Sequence, residues 1–517
     1  MAARQPTYAR RRPRPLIAAA FSALIPGLGQ WYVGDRRKGW IHLAITAVFV
    51  FPAMALLILV FFVDGIDLAL VVSRPFFRSP GLLLVLLGAN ILLLGFRAGS
   101  AVDAYIAATP RPVSTGGFPV RFMFSVTALV LLLAAVAVPH YWVGRRNVAL
   151  YDLLSHDFSS DPGQVTTTSV IDTTAAPTTT VPGTTAATTT TLTTTTTAPT
   201  TTTTTPPPFH DHERVTVLLL GSDAGVGRVG IRTDSMIVLS IDPQTGDTAM
   251  FSIPRNMIKL PIPPDHAAFP MWEDGAWGDP SNLAWGVYAY GLQHPELFQG
   301  PNTGGDAAKT ILGNLLGIDI DYFALVHLQG FVDMIDALGG VDITVTSHII
   351  DHGYMRSDGT VIDLDFPVGT YHMDGQTALA FSRSRTQSND YVRMGRQRCL
   401  LEALAREADP VSLLRQLPSL VPAIEASVVT DIPMAMIPDF LDLVRTVDTS
   451  SIVSIRFMPN APDLAGTDQS YIAYRINGYG VPNVDLIRQR VQAVLDGSAE
   501  QLGLPPLVDE CGVATSG

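Results

Sequence analysis

Two carboxylates and two guanidinium groups stand at the ends of three short apolar runs between residues 215 and 256. Asp223 follows the run 215–220 and its closing Gly221, Arg232 and Asp234 precede the run 236–241, and Arg255 follows the run 248–253. Carboxylate oxygens hold a hard cation, and arginine grips phosphate through two parallel N–H donors, so these four groups at one sheet edge suit a metal-bound phosphate. Polar residues also gather at strand ends for turn reasons alone, and ordinary ion pairs across surface turns are the competing reading. A second cluster, residues 381–398 (FSRSRTQSNDYVRMGRQR), holds five arginines and one aspartate. Arg383 and Arg385 lie two apart and point the same way if the segment is extended. Asp390, Arg393 and Gln397 fall on one face of a helix. Like charges concentrated in this way favour an anionic ligand such as a diphosphate.

The elements that must position these groups follow from the pattern around them. The three apolar runs read as strands. After them, residues 306–316 have helical spacing, 322–327 read as a strand, 330–338 as a helix and 341–345 as a strand. Residues 374–381 and 390–407 are helical, 451–457 a late strand and 484–495 a closing helix. Strands alternating with helices imply an α/β sandwich around one mostly buried sheet. The stretch 261–280, rich in Pro, Trp, Asp and Gly, reads as a long surface loop or lid, and 348–370 as irregular. No role is assigned to 461–480.

Composition bounds the rest. The chain has 517 residues and a formal charge of −12, which argues against nucleic acid as a partner. Lysine occurs only at 38, 259 and 309, so the cations are arginines. Apolar stretches at 40–63, 82–96 and 122–143 approach the ~20 residues that span a bilayer. A weaker one, 16–33, is interrupted by Pro26, Gly27 and Gly29, and is open between a span, a re-entrant piece and an interfacial helix. Arg4, Arg10, Arg11, Arg12 and Arg14, with Arg36, Arg37 and Lys38, favour the cytoplasmic side, so three spans place everything after Trp142 outside; Arg145 and Arg146 oppose this. The threonine-rich tract 166–208 cannot bury a core and reads as an extended tether, with or without O-linked sugar. The two cysteines, Cys399 and Cys511, fall on the outer side, where a disulfide and two separate thiols are both open readings.

The quoted clusters carry a resemblance. GSDAGVGRVGIRTDSMIVLSID, FSIPRN, IDYFALVHLQGFVDMIDALGGVDITV, ALAFSRSR and DYVRMGRQR, in this order and with these spacings, resemble the LytR-CpsA-Psr family over residues 215–406. Three membrane stretches and a threonine-rich segment are similar to actinobacterial members of it. The resemblance implies an α/β/α sandwich around a mixed sheet, preceded by an α-helical transmembrane region. It implies a basic N-terminus over 1–39, a membrane region over 40–143, a linker over 144–208, a catalytic core over 209–410 and a C-terminal part over 411–517. The implied enzyme is a phosphotransferase in the cell membrane with its catalytic domain outside. Its donor would be a glycopolymer on polyprenyl pyrophosphate, and its acceptor peptidoglycan, joined through a phosphodiester. Asp223 and Asp234 would hold Mg²⁺ or Mn²⁺, Arg232, Asp234 and Arg255 would be catalytic, and Arg383, Arg385, Arg393 and Gln397 would bind the pyrophosphate. Two positions depart from the family pattern: Asn256 replaces an aspartate, and Ser281 stands near where a lysine is expected. With water as acceptor the same site would make a pyrophosphatase, and without turnover a carrier-lipid-binding scaffold. The segment PGLGQWYVGDRRKG, similar to a membrane motif of unrelated bacterial proteins, is left without a function.

Overall fold

Pro26 and Gly27 break the first apolar stretch in two. The computed structural model describes residues 13–62, 65–109, 120–159, 209, 211–223, 231–356, 360–384, 390–407, 424–425, 427–447 and 452–497. Helix α1 (Pro15–Leu24) and helix α2 (Leu28–Val33) are followed by α3 (Arg36–Phe62), α4 (Gly65–Arg78), α5 (Gly81–Ala108) and α6 (Val120–Leu154). At ~1.5 Å per residue, α1 and α2 reach about 15 and 9 Å, well short of the ~30 Å bilayer core. They form a hairpin against one end of α5: Ala18, Ala19 and Ala23 bury with Ala101, Ala104, Tyr105 and Ala108. A side chain at Gly29 would meet the Ala18 carbonyl at 2.1 Å, so only glycine permits this approach. Of the readings open for 16–33, the geometry excludes a span.

The hairpin tip leaves backbone carbonyls that its own helices do not satisfy. Arg97 of α5 donates from Nη2 to the Ala23 carbonyl at 2.7 Å and reaches His140 Nε2 of α6 at 3.3 Å. His140 Nδ1 in turn meets Asn90 Oδ1 at 2.6 Å, and Asn90 Nδ2 donates to the His140 carbonyl at 2.8 Å. Nearer the other end, Gln30 Nε2 donates to the Ser100 carbonyl at 2.9 Å and to Asp103 at 3.1 Å, and Asp103 pairs with Lys38 at 3.0 Å. Among the described residues, Gly81–Ala108 and Phe122–Leu154 are long and apolar enough to cross a membrane, by length and composition. Helix α6 continues to Leu154, so the first residues of the expected linker are helical; Arg146 stacks over Trp142, four residues back, at 3.9 Å. The tract 166–208 lies outside the described residues.

The globular part begins with β1 (Val215–Ser222), β2 (Thr233–Ile241) and β3 (Thr248–Ser252). The stretch expected to be irregular holds a small ladder of β4 (Leu260–Pro261) and β5 (Ala276–Trp277). Then come α7 (Val287–Gln293), α8 (Thr303–Leu316), β6 (Tyr322–His327) and α9 (Leu328–Leu338). Strands β7 (Val341–Val345), β8 (Ile349–Met355), β9 (Val361–Phe366) and β10 (Gly369–Met373) lead to α10 (Gly375–Arg383) and α11 (Asp390–Glu407). The chain closes with β11 (Val428–Thr430), α12 (Ile437–Thr446), β12 (Val453–Arg456), β13 (Ile472–Ile476), β14 (Tyr479–Pro482) and α13 (Val484–Leu495).

The main sheet has the order β11-β6-β1-β2-β3-β12. It is mixed: β1 runs parallel to β6 and antiparallel to β2, and β12 is parallel to β3. Alternation along β1 sends Leu218 and Leu220 into a core with Tyr288 of α7, Ile311 and Leu315 of α8 and Ile487 and Val491 of α13. Val217 and Leu219 face the other way, toward Phe440 and Leu443 of α12. Ile237 and Met250 pack on that same side against Leu401 of α11. Helices therefore cover both faces, which is the expected α/β/α sandwich with a mixed sheet. The 348–370 region is an antiparallel β8–β9 hairpin, and β10 pairs with β7. Arg383 is the last residue of α10, which corrects the expectation of an extended Arg383–Arg385 pair. The reason is local: Asp374 caps the helix by accepting from Thr377 N at 2.8 Å, and Ala378, Leu379, Ala380 and Phe381 bury along it. Arg385 lies outside the described residues.

Candidate active site

A β-bulge aims the central carboxylate. Gly221 pairs with Ser235 and Ser222 with Thr233, so Asp234 is the extra residue on β2. A bulged residue is freed from the regular alternation, and the strand turns locally to re-aim its side chain. Asp223 follows directly on β1, with its N–H donating to the Arg232 carbonyl at 3.0 Å. The two carboxylates thus flank one sheet edge, Asp223 buried and Asp234 half-buried.

Arg255, just beyond β3, donates from Nη1 to Asp234 Oδ1 at 2.6 Å and from Nε toward Asp390 Oδ2 at 3.4 Å. Arg393, one turn into α11, lies 3.9 Å from Asp234 Oδ2 and 3.6 Å from Asp390 Oδ1. Two arginines and two aspartates from β2, the end of β3 and α11 therefore form a closed ring of ion pairs. Burial works against the Arg255 charge, but Asp234 and then Asp390 outweigh it and hold the guanidinium above its ordinary range. Arg393 is 1% exposed. The ring balances two positive charges with two negative ones, so an incoming diphosphate would compete with Asp234 and Asp390 for the arginine donors.

The remaining predicted residues are placed unevenly. Arg232 is exposed and stacks over Trp285 at 4.8 Å. Trp285 is also tied to the site by its N–H, which donates to the Arg255 carbonyl at 3.1 Å. Gln397 is one further turn along α11 and half-buried, and Arg383 is half-buried at the end of α10. Ser281, near where the family pattern expects lysine, sits exposed in a turn closed by Asp279 Oδ1, which accepts from Ser281 N at 2.7 Å. Sequence reasoning placed Asp390 on the right helix face but gave it no part in the site; its i,i+3 spacing to Arg393 was the available signal. It also passed over Arg396. That buried guanidinium donates to the Ser384 carbonyl, and the Ser384 hydroxyl donates to Asp351 at 2.6 Å, so the chain just after Arg383 is pinned. Burial pushes Arg396 down to about 10 against the attraction of Asp351, which leaves it a cation at neutral pH. Cys399, buried on α11, is disulfide-bonded; Cys511 lies outside the described residues.

Asp223 and Asp234 are the carboxylates that would hold a hard divalent cation. Such an ion takes one or two carboxylates and completes its shell with water and phosphate oxygens, and Asp223 and Asp234 supply that number from adjacent strands.

The profile described as the LytR_cpsA_psr family matches residues 178–477, more than half of the chain. The chain belongs to the LytR_cpsA_psr family. Relatives within reach of it include a protein of Bacillus cereus (strain AH820), 28% identical over 222 residues, covering 43% of this chain and 61% of the relative. Another, from Oceanobacillus iheyensis, is 29% identical over 229 residues, covering 44% and 61%. Both bear the name polyisoprenyl-teichoic acid–peptidoglycan teichoic acid transferase TagU. The chain thus spans about three-fifths of the length of these LytR_cpsA_psr relatives. Solved structures similar to it include protein gbs0355 from Streptococcus agalactiae, at 22% identity and a TM-score of 0.41, covering 56% of this chain and 90% of that one. TagV of B. subtilis follows at 24% identity and a TM-score of 0.39, covering 55% and 98%.

Proposed function

We propose that this protein is a membrane-anchored phosphotransferase that moves a glycopolymer from a polyprenyl-diphosphate carrier to peptidoglycan. The observation that carries the reading is the ring of Asp234, Arg255, Asp390 and Arg393 at the sheet edge beside Asp223, in a chain of the LytR_cpsA_psr family. The names of the TagU relatives support the same substrate class. The helices Gly81–Ala108 and Phe122–Leu154 support the anchor, and together with the apolar stretch 40–63 in α3 as a third span the arginine-rich N-terminus supports an extracytoplasmic site.

In the reaction, the acceptor hydroxyl oxygen attacks the phosphorus next to the polymer. A new P–O bond forms, the bond to the lipid-side phosphate breaks, and polyprenyl phosphate leaves with the electron pair while the hydroxyl proton is released. Phosphoryl transfer asks chiefly for positioning and charge neutralisation. Arg255 and Arg393 take the equatorial and bridging oxygens as Asp234 and Asp390 give up their pairs. Arg232 and Arg383 approach from the flanks, and Gln397 offers an amide donor. A bound Mg²⁺ or Mn²⁺ on Asp223 and Asp234 would neutralise the diphosphate. An aspartate holding the cation would be a weak base, so proton loss from the hydroxyl follows rather than leads P–O bond formation.

Full-length protein in liposomes with Mg²⁺, a polyprenyl-diphosphate oligosaccharide and peptidoglycan is the direct test, read as sugar coupled to the wall polymer. Coupling should fall by roughly 10²–10³ in Asp234→Ala and in Arg255→Ala, the scale of losing one charge-stabilising group. Undiminished coupling in both variants removes the site assignment. Free sugar phosphate without coupling would mean that water is the acceptor, and lipid binding without turnover a scaffold.

A further inference from the structure

The globular domain is seated directly on the ends of two of the N-terminal helices. Leu153 and Phe158, at and beyond the end of α6, bury with Ile424 and Met434 of the domain. Phe77 of α4 and Leu154 of α6 bury with Ile437 at the start of α12. Arg74 of α4 pairs with Asp442 and lies 3.8 Å from Asp439, both on α12. Polar contacts fix the same junction: the Phe158 carbonyl accepts from Thr430 N of β11 at 2.8 Å, and the Ser159 carbonyl accepts from Asn302 Nδ2 at 2.7 Å. On the far side of the threonine-rich tract the chain returns to this place. The Phe209 ring lies 5.1 Å from Phe440 of α12, and Phe209 packs with Val215 at the start of β1.

We infer that this seat, not the threonine-rich tract, sets where the domain works. Ser159 and Phe209, the described residues on either side of the tract, both lie against the domain, so these contacts set the reach of the site. Apolar contact, an arginine between two carboxylates and two backbone-directed hydrogen bonds coincide on one small surface. The tether also keeps seat and domain at an effective concentration on the order of 1 mM, so an interface with Kd below ~0.1 mM stays docked more than nine-tenths of the time. Asp223 follows the end of β1, whereas Thr430 of the seat is level, through Ala324 of β6, with Leu219 of β1, roughly 13 Å back along the strand at ~3.3 Å per residue. The catalytic edge is therefore held at a fixed offset from the ends of α4 and α6.

The test uses the full-length chain in liposomes, and its main reading, a cross-link, does not depend on turnover. A short thiol-reactive cross-linker joining Leu154→Cys to Ile437→Cys should give an internally linked product. Arg74→Glu should lower that yield by about tenfold, the scale of a charge-assisted pair lost and replaced by repulsion, and Arg74→Glu with Asp442→Arg should restore it. Asn302→Asp, which keeps an acceptor for Gly305 N at the start of α8 but loses the donor to Ser159, should lower it as well. Removal of residues 176–200 should leave both the cross-link and the transfer rate unchanged. A cross-link insensitive to Arg74→Glu, a charge swap without rescue, or a transfer rate that follows tract length would each overturn the inference. Because the cross-link is read without substrate, its failure is distinct from a failure of the proposed chemistry.

Discussion

At 1% exposure, Arg393 is enclosed where Arg255 is not, and the two arginines of the ring should answer differently to mutation. Removing one partner from a buried ion-pair network leaves charge uncompensated, at a cost of about 3 kcal/mol or more. Arg393→Gln should therefore lower both transfer and stability, with a loss on that scale in denaturant unfolding of the full-length protein. Gln397→Ala, on the same helix but half-buried and outside the ring, should stay within about 0.5 kcal/mol. If both variants lose the same stability, the enclosure of Arg393 has been misread. The residue types of the ring were legible in the sequence, because Asp, Arg and phosphate chemistry go together whatever the fold. Their partners were not. Asp234 reaches Arg255 and Arg393 through a bulge that depends on how β1 meets β2, and Asp390 enters the ring only when α11 is laid beside the end of β3.

Helix α10 shows how an element's start governs the chemistry at its end. Asp374 accepts from the Thr377 hydroxyl and N–H, and these bonds hold its carboxyl below the ordinary value. A carboxylate with a depressed folded pKa stabilises fully above its unfolded value, and the contribution disappears as the pH drops through the folded one. Asp374→Ala should cost about 1 kcal/mol at neutral pH, and Asp374→Asn far less. The gap between wild type and the Asn variant should narrow as the pH falls below the ordinary carboxylate value of about 4. Unfolding followed from neutral pH down through the acid range checks both, and a gap that does not narrow would rule out the charge contribution of Asp374. The elements 322–327 and 484–495 match a strand and a helix of the same bounds because apolar spacing decides them, whereas helix 390–407 buries Arg393, Arg396 and Arg398 beside its apolar residues. The Arg383–Arg385 reading failed because a two-residue alternation was weighed without the cap and the buried run preceding it. The β13–β14 hairpin was missed although Asn477 and Gly478, with φ of 50° and 87°, make the two-residue turn for which Asn-Gly is a strong signal.

The whole molecule is where the sequence said least. Arg74 and Asp442 are 368 positions apart, and no local pattern announces that pairing. The threonine-rich composition pointed to a tether because composition reports what a segment cannot bury, not where its two ends are held. Loop closure entropy grows only as (3/2)RT ln n, so halving the tract changes the docked-to-open balance by ~0.6 kcal/mol, about threefold. Single-molecule distance measurements between α6 and α12 on full and halved tracts should show a shift no larger than that. A much larger change would mean that the tract contributes contacts of its own.

The hairpin of α1 and α2 has a bearing on how the chain is made. Its tip is closed by Arg97, 74 residues downstream of Ala23, and its second arm by Ser100 and Asp103. Before α5 is in place the hairpin has only its own contacts, such as Ser22–Gln30, Gly29–Ser22 and Phe21–Tyr32, so its closure is complete only with α5. Arg97→Leu should then show itself as an assembly defect, with less full-length protein reaching a protease-resistant membrane form and normal transfer per molecule that does. Assembly at wild-type yield in that variant would mean that the hairpin closes without its arginine.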